Sequence, residues 1–479
     1  MKELLIPILA TAVSYVHSRL FPYGSYGILP YCQFGILPVM QLASLGGVWL
    51  IDFFVSYVAS ASAMVYVDGA DKGGLSAKSW SRLKRIVGVV SLVLAYGGMR
   101  LRFSSWEGAP NAPSVPTMRV AGVWVKHTME IRDQLLRLHL GLLMDGREGP
   151  SERAEDWSGD EWQEIVKWTL EDYDAFEVEV EREAKAGADV IMLPELGLVT
   201  FQGPGVNDDR VSTEVVLERL SSIAQANNVF LGVGIGYNLP FVKVPDLSTF
   251  IDIALEKGGK GMMGMESNRF ILVSPRKVSK EEFDEVMNGI QAHSHLSLDY
   301  RKKNPVPVIE MPFAMGGNDT IPVRDVDIFG TGSTAKISSV VCFDMEHPWH
   351  TKQLALSSDV ILNPSYDWPG LNPYHARIVA FRAIETGNNI FHHCQAGTSM
   401  AYDYLGNVLT SGDYFSQHRG DAGSNCIPMK PEKNCVPPTH IANLPMVGVK
   451  TVYGVVGDVV VYTCLAITVA LMIWSAGRK

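Results

Sequence analysis

Four apolar segments constrain this chain most, because they enclose one long polar region. They lie at about Leu4–His17, Leu45–Val67 and Ile86–Met99, and from about Val459 toward the C-terminus. About 20 apolar residues cross the ~30 Å hydrocarbon core of a bilayer, so the lengths of the second and fourth predict transmembrane helices. The first is shorter and could also be a cleaved signal peptide, and the third could be a buried or interfacial helix. We therefore expect three regions: 1–115 with about three spans, a folded domain at 116–446, and a final transmembrane helix with its tail at 447–479.

The distribution of basic residues predicts an orientation. If all four segments span, one side carries Lys2, the two C-terminal residues Arg478 and Lys479, and the basic loop between the second and third segments. The other side carries Arg19 and the whole central region. Lys and Arg in short loops favour the cytoplasmic side. The sequence therefore predicts a multi-pass membrane protein whose central domain lies on the extracytoplasmic or lumenal side.

Charge and cysteine spacing exclude two classes of partner. The formal net charge is -10, and no basic stripe is present, so we expect no nucleic-acid partner. The six cysteines contain no CxxC pair, which argues against a structural zinc site. Cys426 and Cys435 lie close together in a Pro- and Asn-rich stretch. They are either a local disulfide or two free thiols.

The central region alternates between short apolar runs and amphipathic stretches, which is typical of a layered α/β domain. Helices are predicted at about 160–187 and 213–226, and an inserted helical piece at 279–293. Strands are predicted at 118–125, 189–194, 229–236, 269–275, before Tyr300, and at 337–343, 359–365 and 389–395.

Three strand-end motifs carry reactive side chains: LPELGL around Glu195, YRKKNPVPVIE from Tyr300 to Glu310, and VVCFDMEHP around Cys342. They supply a carboxylate, an ammonium and a thiol. A thiol is mostly protonated at neutral pH and needs a base before it can attack an acyl group. A cation or an N–H donor must then stabilise the oxyanion. This set therefore predicts a thiol enzyme.

Each residue also has a simpler interpretation. Cys342 could be a small core residue at the end of a buried strand, and Glu195 a helix-capping or surface carboxylate. Lys302 and Lys303 could be a solvated basic pair. Spacing alone does not show that three sites so far apart along the chain converge.

The order of Glu in PELG, Lys in YRK and Cys in CFD resembles the carbon–nitrogen hydrolase, or nitrilase, superfamily, and LNPSYDWPG, RAIETGN and YLGNV fit its later elements. The flanking segments QLASLGGVWLIDFFVSYVAS, KKNPVPVIE and KTVYGVVGDVV resemble those of apolipoprotein N-acyltransferases. The resemblance implies a nitrilase-like α-β-β-α sandwich domain flanked by transmembrane helices. It also implies a membrane-bound enzyme that moves an acyl group from a phospholipid through a cysteine thioester to the amine of a lipoprotein. Neither a metal nor an organic cofactor is implied.

The family's register assigns the roles. The catalytic lysine lies two residues after the Tyr and eight before a second Glu, which selects Lys302 and makes Glu310 an auxiliary carboxylate. Glu195 is then the base and Cys342 the nucleophile. The backbone N–H of Phe343 joins Lys302 in holding the oxyanion.

The sequence also departs from the acyltransferase pattern. Those enzymes usually have eight spans, and this sequence begins at what resembles the fifth. Either the lineage dispenses with the first four or the sequence is incomplete. Asn304 replaces the customary His, and Phe343-Asp344 replaces the frequent Tyr-Glu after the nucleophile. A membrane-tethered amidase or nitrilase that uses water on a soluble substrate is the alternative, and a non-enzymatic remnant that binds lipid or proteins is another.

Other polar residues are weaker candidates. His347 and His350, beside Glu346, hint at metal ligands, but Pro348 interrupts them and no third ligand is evident. The pair His392–His393 and the adjacent Cys394 are expected near the floor of the active site or in the core. Asp458 is expected just outside the hydrocarbon at the start of the last span.

Overall fold

Two β-sheets pack face to face in the computed structural model. The described residues are 2–70, 76–103, 115–128, 130–131, 134–135, 160–202, 208–238, 266–278, 295–307, 310, 317, 319–328, 332–413 and 439–476. The first sheet has the order β13-β1-β2-β4-β5-β6, with β3 also paired to β4, and the second has the order β12-β11-β10-β9-β8-β7. The strands are β1 Thr117–Gly122, β2 Val190–Met192, β3 Leu198–Phe201, β4 Phe230–Asn238, β5 Glu266–Val273, β6 Leu296–Arg301, β7 Val323–Ile328, β8 Ser333–Ser339, β9 Val360–Tyr366, β10 Asn389–Gln395, β11 Thr398–Tyr402, β12 Val408–Asp413 and β13 His440–Pro445.

The helices lie outside the two sheets. The long ones are α1 Lys2–Leu20, α2 Ala43–Ala70, α3 Ala77–Phe103, α4 Asp160–Lys185, α5 Thr213–Asn227, α6 Tyr374–Thr386 and α7 Val459–Ala476. Short helical turns occupy Leu29–Gln33, Leu37–Met40, Asp209–Val211, Cys342–Glu346, Pro348–Thr351, Lys352–Leu354, Pro369–Leu371 and Val452–Val456.

Because side chains alternate in direction along each strand, one strand contributes to two separate hydrophobic cores. In β2, Val190 and Met192 join the core between the sheets, whereas Ile191 joins the core beneath α4 and α5. Successive side chains of a strand point to opposite faces, so this strand can be apolar throughout and buried on both sides. On the far side, α6 covers the second sheet with residues such as Ile378 and Phe381. The result is the nitrilase-like α-β-β-α sandwich that the sequence predicts.

Three described helices are long and apolar enough to cross a membrane, by length and composition: residues Ala43–Asp68, Ala77–Phe103 and Val459–Ala476. The segment expected at Ile86–Met99 is therefore part of a longer helix. The first predicted span forms α1, which is helical but falls outside this group of three. Among the described residues, a fourth helix of this length and composition is not found.

The flanking helices contact the sandwich through α6. Glu385 of α6 accepts a hydrogen bond from the backbone N–H of Val48 at 2.7 Å. Val48 follows a break in α2, where Gly47 has φ 67° and ψ -172°. A Cβ at Gly47 would lie 2.7 Å from the ring of Tyr453, so glycine is required at this break. Asp458, at the start of α7, accepts hydrogen bonds from Trp49 at 3.2 Å and from Tyr453 at 2.9 Å.

Several predicted strands differ from the structure in their extent. The strand expected to reach Cys342 ends at Ser339, because the chain turns into the helical turn Cys342–Glu346. The strand expected at 118–125 ends at Gly122. The inserted helical piece at 279–293 and the pair Cys426–Cys435 lie outside the described residues.

Candidate active site

Glu195 lies in a tight turn directly after β2, and 1% of it is exposed. The next residue, Leu196, has a positive φ of 55°. The turn presses against β4, where a Cβ at Gly234 would lie 2.0 Å from the carbonyl oxygen of Pro194. Gly234, in the run VGIG, therefore provides the room in which Glu195 sits.

Lys302 follows β6 and places its ammonium between two carboxylates. Its Nζ lies 2.6 Å from Oε1 of Glu195 and 2.7 Å from Oε2 of Glu310. Burial opposes the charged form, but the charges of Cys342, Glu195 and Glu310 raise the pKa of Lys302 well above its usual value. Lys302 is therefore charged at neutral pH, as expected for an ammonium beside two carboxylates.

Asn268 on β5 joins the two strands that carry these residues. Its side-chain amide donates to Oε1 of Glu195 at 2.6 Å, and its backbone carbonyl accepts from the N–H of Lys302 at 2.9 Å. Asn268 was not predicted from the sequence. Nothing in its local sequence ESNRF separates it from a polar residue at the start of a strand.

Cys342 begins the turn after β8 and is 4% exposed. Its φ is 45°, in a region that non-glycine residues seldom adopt and that costs about 1–3 kcal/mol. Its Sγ lies 3.8 Å from the carbonyl oxygen of Tyr366. Burial and then the charge of Glu195 raise the pKa of the thiol well above its usual value, against the opposing effect of Lys302. The resting thiol is therefore protonated and responds to both charges.

Asp344 connects the turn of Cys342 to the segment of Lys302. Its Oδ2 accepts from the hydroxyl of Tyr300 at 2.7 Å and from the N–H of Val341 at 3.2 Å. Its Oδ1 accepts from the backbone and the side-chain amide of Asn304, both at 2.8 Å. Asn304 and Asp344 are two of the positions that depart from the acyltransferase pattern, and here they bind each other.

A buried carboxylate and imidazole also lie beside the thiol. The Sγ of Cys342, a carboxylate oxygen of Asp367 and a ring nitrogen of His375 all lie within 4.8 Å of one another. Asp367, His392 and Cys394 form a second such group. Both groups have the donor types that bind metal ions. However, Asp367 is already paired with Nδ1 of His375 at 2.8 Å, so we interpret this contact as an ion pair.

The other candidate residues are buried or already bonded to other groups. Within the described part of the chain, Glu346, His347 and His350 do not form a group of convergent ligand atoms. His350 instead contacts the hydroxyl of Tyr300 at 2.8 Å. His393, on β10, bonds the carbonyl of Val123 at 2.9 Å and so links the two sheets. Phe343 directly follows Cys342 in the turn.

Comparison with known proteins places these residues in a family. The model of the carbon–nitrogen hydrolase family matches residues 162–418, slightly more than half of the chain. Among solved structures, an amidase from Nesterenkonia sp. is 15% identical, with 69% of this chain and 91% of that chain covered at a TM-score of 0.39. A mutant of the Nesterenkonia AN1 amidase, described as from the nitrilase superfamily, is 15% identical, with 70% and 92% covered at a TM-score of 0.40. No curated protein matches the chain.

Proposed function

Because this chain belongs to the carbon–nitrogen hydrolase family, we propose that it is a membrane-bound N-acyltransferase that carries an acyl group on Cys342. The acyl donor is a phospholipid, and the acceptor is an amine such as that of a lipoprotein. Glu195, Lys302, Cys342 and Glu310 are its catalytic residues. In this proposal the protein is a multi-pass membrane protein whose spans are α2, α3 and α7, and its sandwich lies on the extracytoplasmic or lumenal side.

The contact between the nucleophile's turn and the N-terminal region carries this proposal. Ser25, between α1 and α2, donates from its backbone N–H to the carbonyl oxygen of Glu346 at 2.7 Å and from its hydroxyl to the same oxygen at 2.8 Å. Glu346 ends the turn that begins with Cys342. The reactive turn is thus fastened to the segment that leads into α2, a helix long and apolar enough to cross a membrane. This attachment supports an acyl donor that lies in a membrane.

Exposed apolar side chains support the membrane location. The described helices leave the following large apolar residues exposed: Trp80, Val87, Leu92, Leu94 and Met99 on α3, and Val459, Tyr462, Ile467, Val469, Leu471, Met472, Ile473 and Trp474 on α7. Soluble proteins rarely expose apolar surface on this scale. Hydrocarbon chains would cover it.

The acylation half of the mechanism begins with the protonated thiol. Glu195 takes the proton of Cys342 as the thiolate attacks the acyl carbonyl. Lys302 and the backbone N–H of Phe343 stabilise the oxyanion, an effect worth about 10²–10³-fold for one donor. The ester C–O bond then breaks, and the leaving alkoxide takes the proton from Glu195. Glu310 keeps Lys302 charged and oriented.

The second half releases the acyl group. An amine attacks the thioester, Glu195 takes its proton, and the C–S bond breaks to return the electron pair to sulfur. The proton then passes back to Cys342. If water replaced the amine, the same residues would hydrolyse the thioester to a free acid, which is also the second half of an amidase reaction.

Product analysis shows whether an amine or water accepts the acyl group from Cys342. The full chain in phospholipid nanodiscs is incubated with a peptide that has a free N-terminal amine and a diacylglyceryl cysteine, and the products are identified by mass spectrometry. We expect N-acylated peptide and lysophospholipid in equal amounts, both absent with Cys342→Ala and both present with Cys32→Ser, which changes an exposed thiol. Free fatty acid without acylated peptide would show that water discharges the thioester, and neither product, from a protein that hydrolyses a soluble amide, would establish the amidase instead.

A further inference from the structure

A buried ion pair beside the nucleophile has no part in the mechanism above. Asp367 follows β9 and is 1% exposed, and His375 lies in the first turn of α6 and is 3% exposed. Nδ1 of His375 donates to Oδ1 of Asp367 at 2.8 Å. A ring nitrogen of His375 and an oxygen of Asp367 lie within 4.8 Å of each other and of the Sγ of Cys342. Thiol nucleophiles are commonly supported by an imidazole that a third group orients.

The surrounding contacts fix this pair. The N–H of Asp367 donates to the carbonyl of Gln395 at 2.9 Å, which ties it to β10. The hydroxyl of Ser365 lies 3.3 Å from Oδ1 of Asp367 and 3.4 Å from Nδ1 of His375. Nε2 of His375 is buried and, within the described residues, has no hydrogen-bond partner. The imidazole therefore keeps one nitrogen for another group.

The imidazole is positively charged at neutral pH. Burial opposes this charge, but Asp367, with smaller effects from Glu346 and Glu195, raises the pKa of His375 to about 9. Its neighbour His392, whose ring centre is 5.4 Å away, behaves in the opposite way. Burial and the charge of His375 lower the pKa of His392 to about 3, so that ring is neutral.

We propose that His375, held by Asp367, is a second cationic partner of the Cys342 sulfur and stabilises its thiolate alongside Lys302. The thiol proton still goes to Glu195, and His375 keeps its own proton throughout. Its positive charge offsets that of Asp367, which raises the pKa of the Cys342 thiol, and so favours the thiolate before attack and again when the C–S bond breaks and the electron pair returns to sulfur. This role rests on Cys342 being the nucleophile of the proposed function, but on neither the acyl donor nor the acceptor.

Alkylation of Cys342 tests this role without any acyl substrate. The rate of reaction with iodoacetamide is measured against pH by peptide mass spectrometry on the full chain, because the thiolate is the reacting form. His375→Gln removes the cation, and His392→Gln is the matched control that removes a neutral buried ring. Alkylation of exposed Cys32 in the same samples corrects for reagent concentration and gives the rate expected of Cys342 in an unfolded chain.

We expect His375→Gln to slow the alkylation of Cys342 about tenfold at neutral pH, where wild-type His375 carries its proton; tenfold corresponds to about one unit in the pKa of the thiol. The difference should disappear above about pH 9, where wild-type His375 loses its own proton, and His392→Gln should follow the wild type. Superimposed profiles for His375→Gln and wild type, or equal shifts in both variants, would overturn the proposal.

If His375→Gln unfolds, so that its Cys342 reacts as fast as Cys32, Asp367→Asn provides a second test. This variant lowers the pKa of His375, so its cation is lost at a lower pH than in wild type, where it is lost near pH 9. It also removes the charge of Asp367, which raises the pKa of the thiol, but that effect does not change with pH. The ratio of its alkylation rate to that of wild type should fall with pH, whereas a ratio independent of pH would refute the role. If the expected shifts occur and no lipid acylation is found, the proposed function fails and this inference stands.

Discussion

Removing the charge of Lys302 should destabilise the protein more than removing that of its neighbour Lys303. Lys302→Met keeps the length of an apolar side chain but leaves Glu195 and Glu310 without their shared cation. The side chain of Lys302 is 2% exposed, whereas that of Lys303 is 35% exposed and pairs with the exposed Asp319. Lys303→Met is therefore a matched control.

The magnitude follows from the burial of the pair. Breaking a buried ion pair by removing one partner costs about 3–5 kcal/mol, whereas an exposed pair contributes about 0–1 kcal/mol. In Lys302→Met the two glutamates must take up protons, and a buried carboxyl without a cation can have its pKa raised by about 3 units, or about 4 kcal/mol. The two routes give the same range.

The pH dependence has a definite sign. In Lys302→Met the folded pKa of the carboxyls lies above their unfolded value of about 4.3, so the folded state binds more protons than the unfolded state. Stability then falls as pH rises above that value. The deficit of Lys302→Met relative to Lys303→Met should therefore grow from mildly acidic to neutral pH.

Unfolding in detergent micelles, followed by tryptophan fluorescence against denaturant at several pH values, measures this deficit. We expect a difference of about 3–5 kcal/mol at neutral pH between the two variants and a smaller one in mild acid. Equal stability of the two variants at every pH would refute the placement of Lys302 between two buried carboxylates.

Three further substitutions test separate parts of the structure. Glu195→Gln removes the base and should slow acylation of Cys342 by about 10²–10⁴-fold, measured in single-turnover experiments; retention of the rate would exclude Glu195 as the base. Asp344→Ala leaves several buried donors unpaired at about 1–3 kcal/mol each and should lower both the melting temperature and the acylation rate. If neither falls, Asp344 does not hold the turn of Cys342. Gly47→Ala should lower the stability by about 1–3 kcal/mol through its backbone conformation and further through its contact with Tyr453. Its control Gly88→Ala, with no neighbouring atom within 4 Å, should lose almost no stability. Equal melting temperatures for the two glycine variants would contradict the break in α2.

Local patterns were sufficient to predict much of the fold. Helix α4 was expected at about 160–187 and is found at Asp160–Lys185, because its apolar and charged residues repeat with helical spacing. The strand DVIMLP was identified by its β-branched residues, although only Val190–Met192 pairs as β2. The buried strands of a sandwich are apolar on both faces, so their ends are less well marked than those of amphipathic elements.

Contacts between segments that are distant along the chain could not be predicted from the sequence. The register of the family pattern selected Lys302, and the structure places it between Glu195 and Glu310. Nothing local predicted that Asn268 would bridge the first two strands of the site, or that Asp367 and His375 would meet beside Cys342. The positive φ of Cys342 likewise follows from the turn that Asp344 holds and not from the preference of the residue itself.

The mass of the Cys342 peptide after incubation with phospholipid tests the central claim most directly. The full chain is incubated in nanodiscs without acceptor, quenched in acid and digested, and wild type is compared with Glu195→Gln and Cys342→Ala. The proposed chemistry predicts one added acyl chain on Cys342, sensitive to hydroxylamine, in wild type only. A Cys342 peptide of unchanged mass, in a protein that remains folded and is alkylated at this thiol by iodoacetamide, would contradict the proposed acyl transfer.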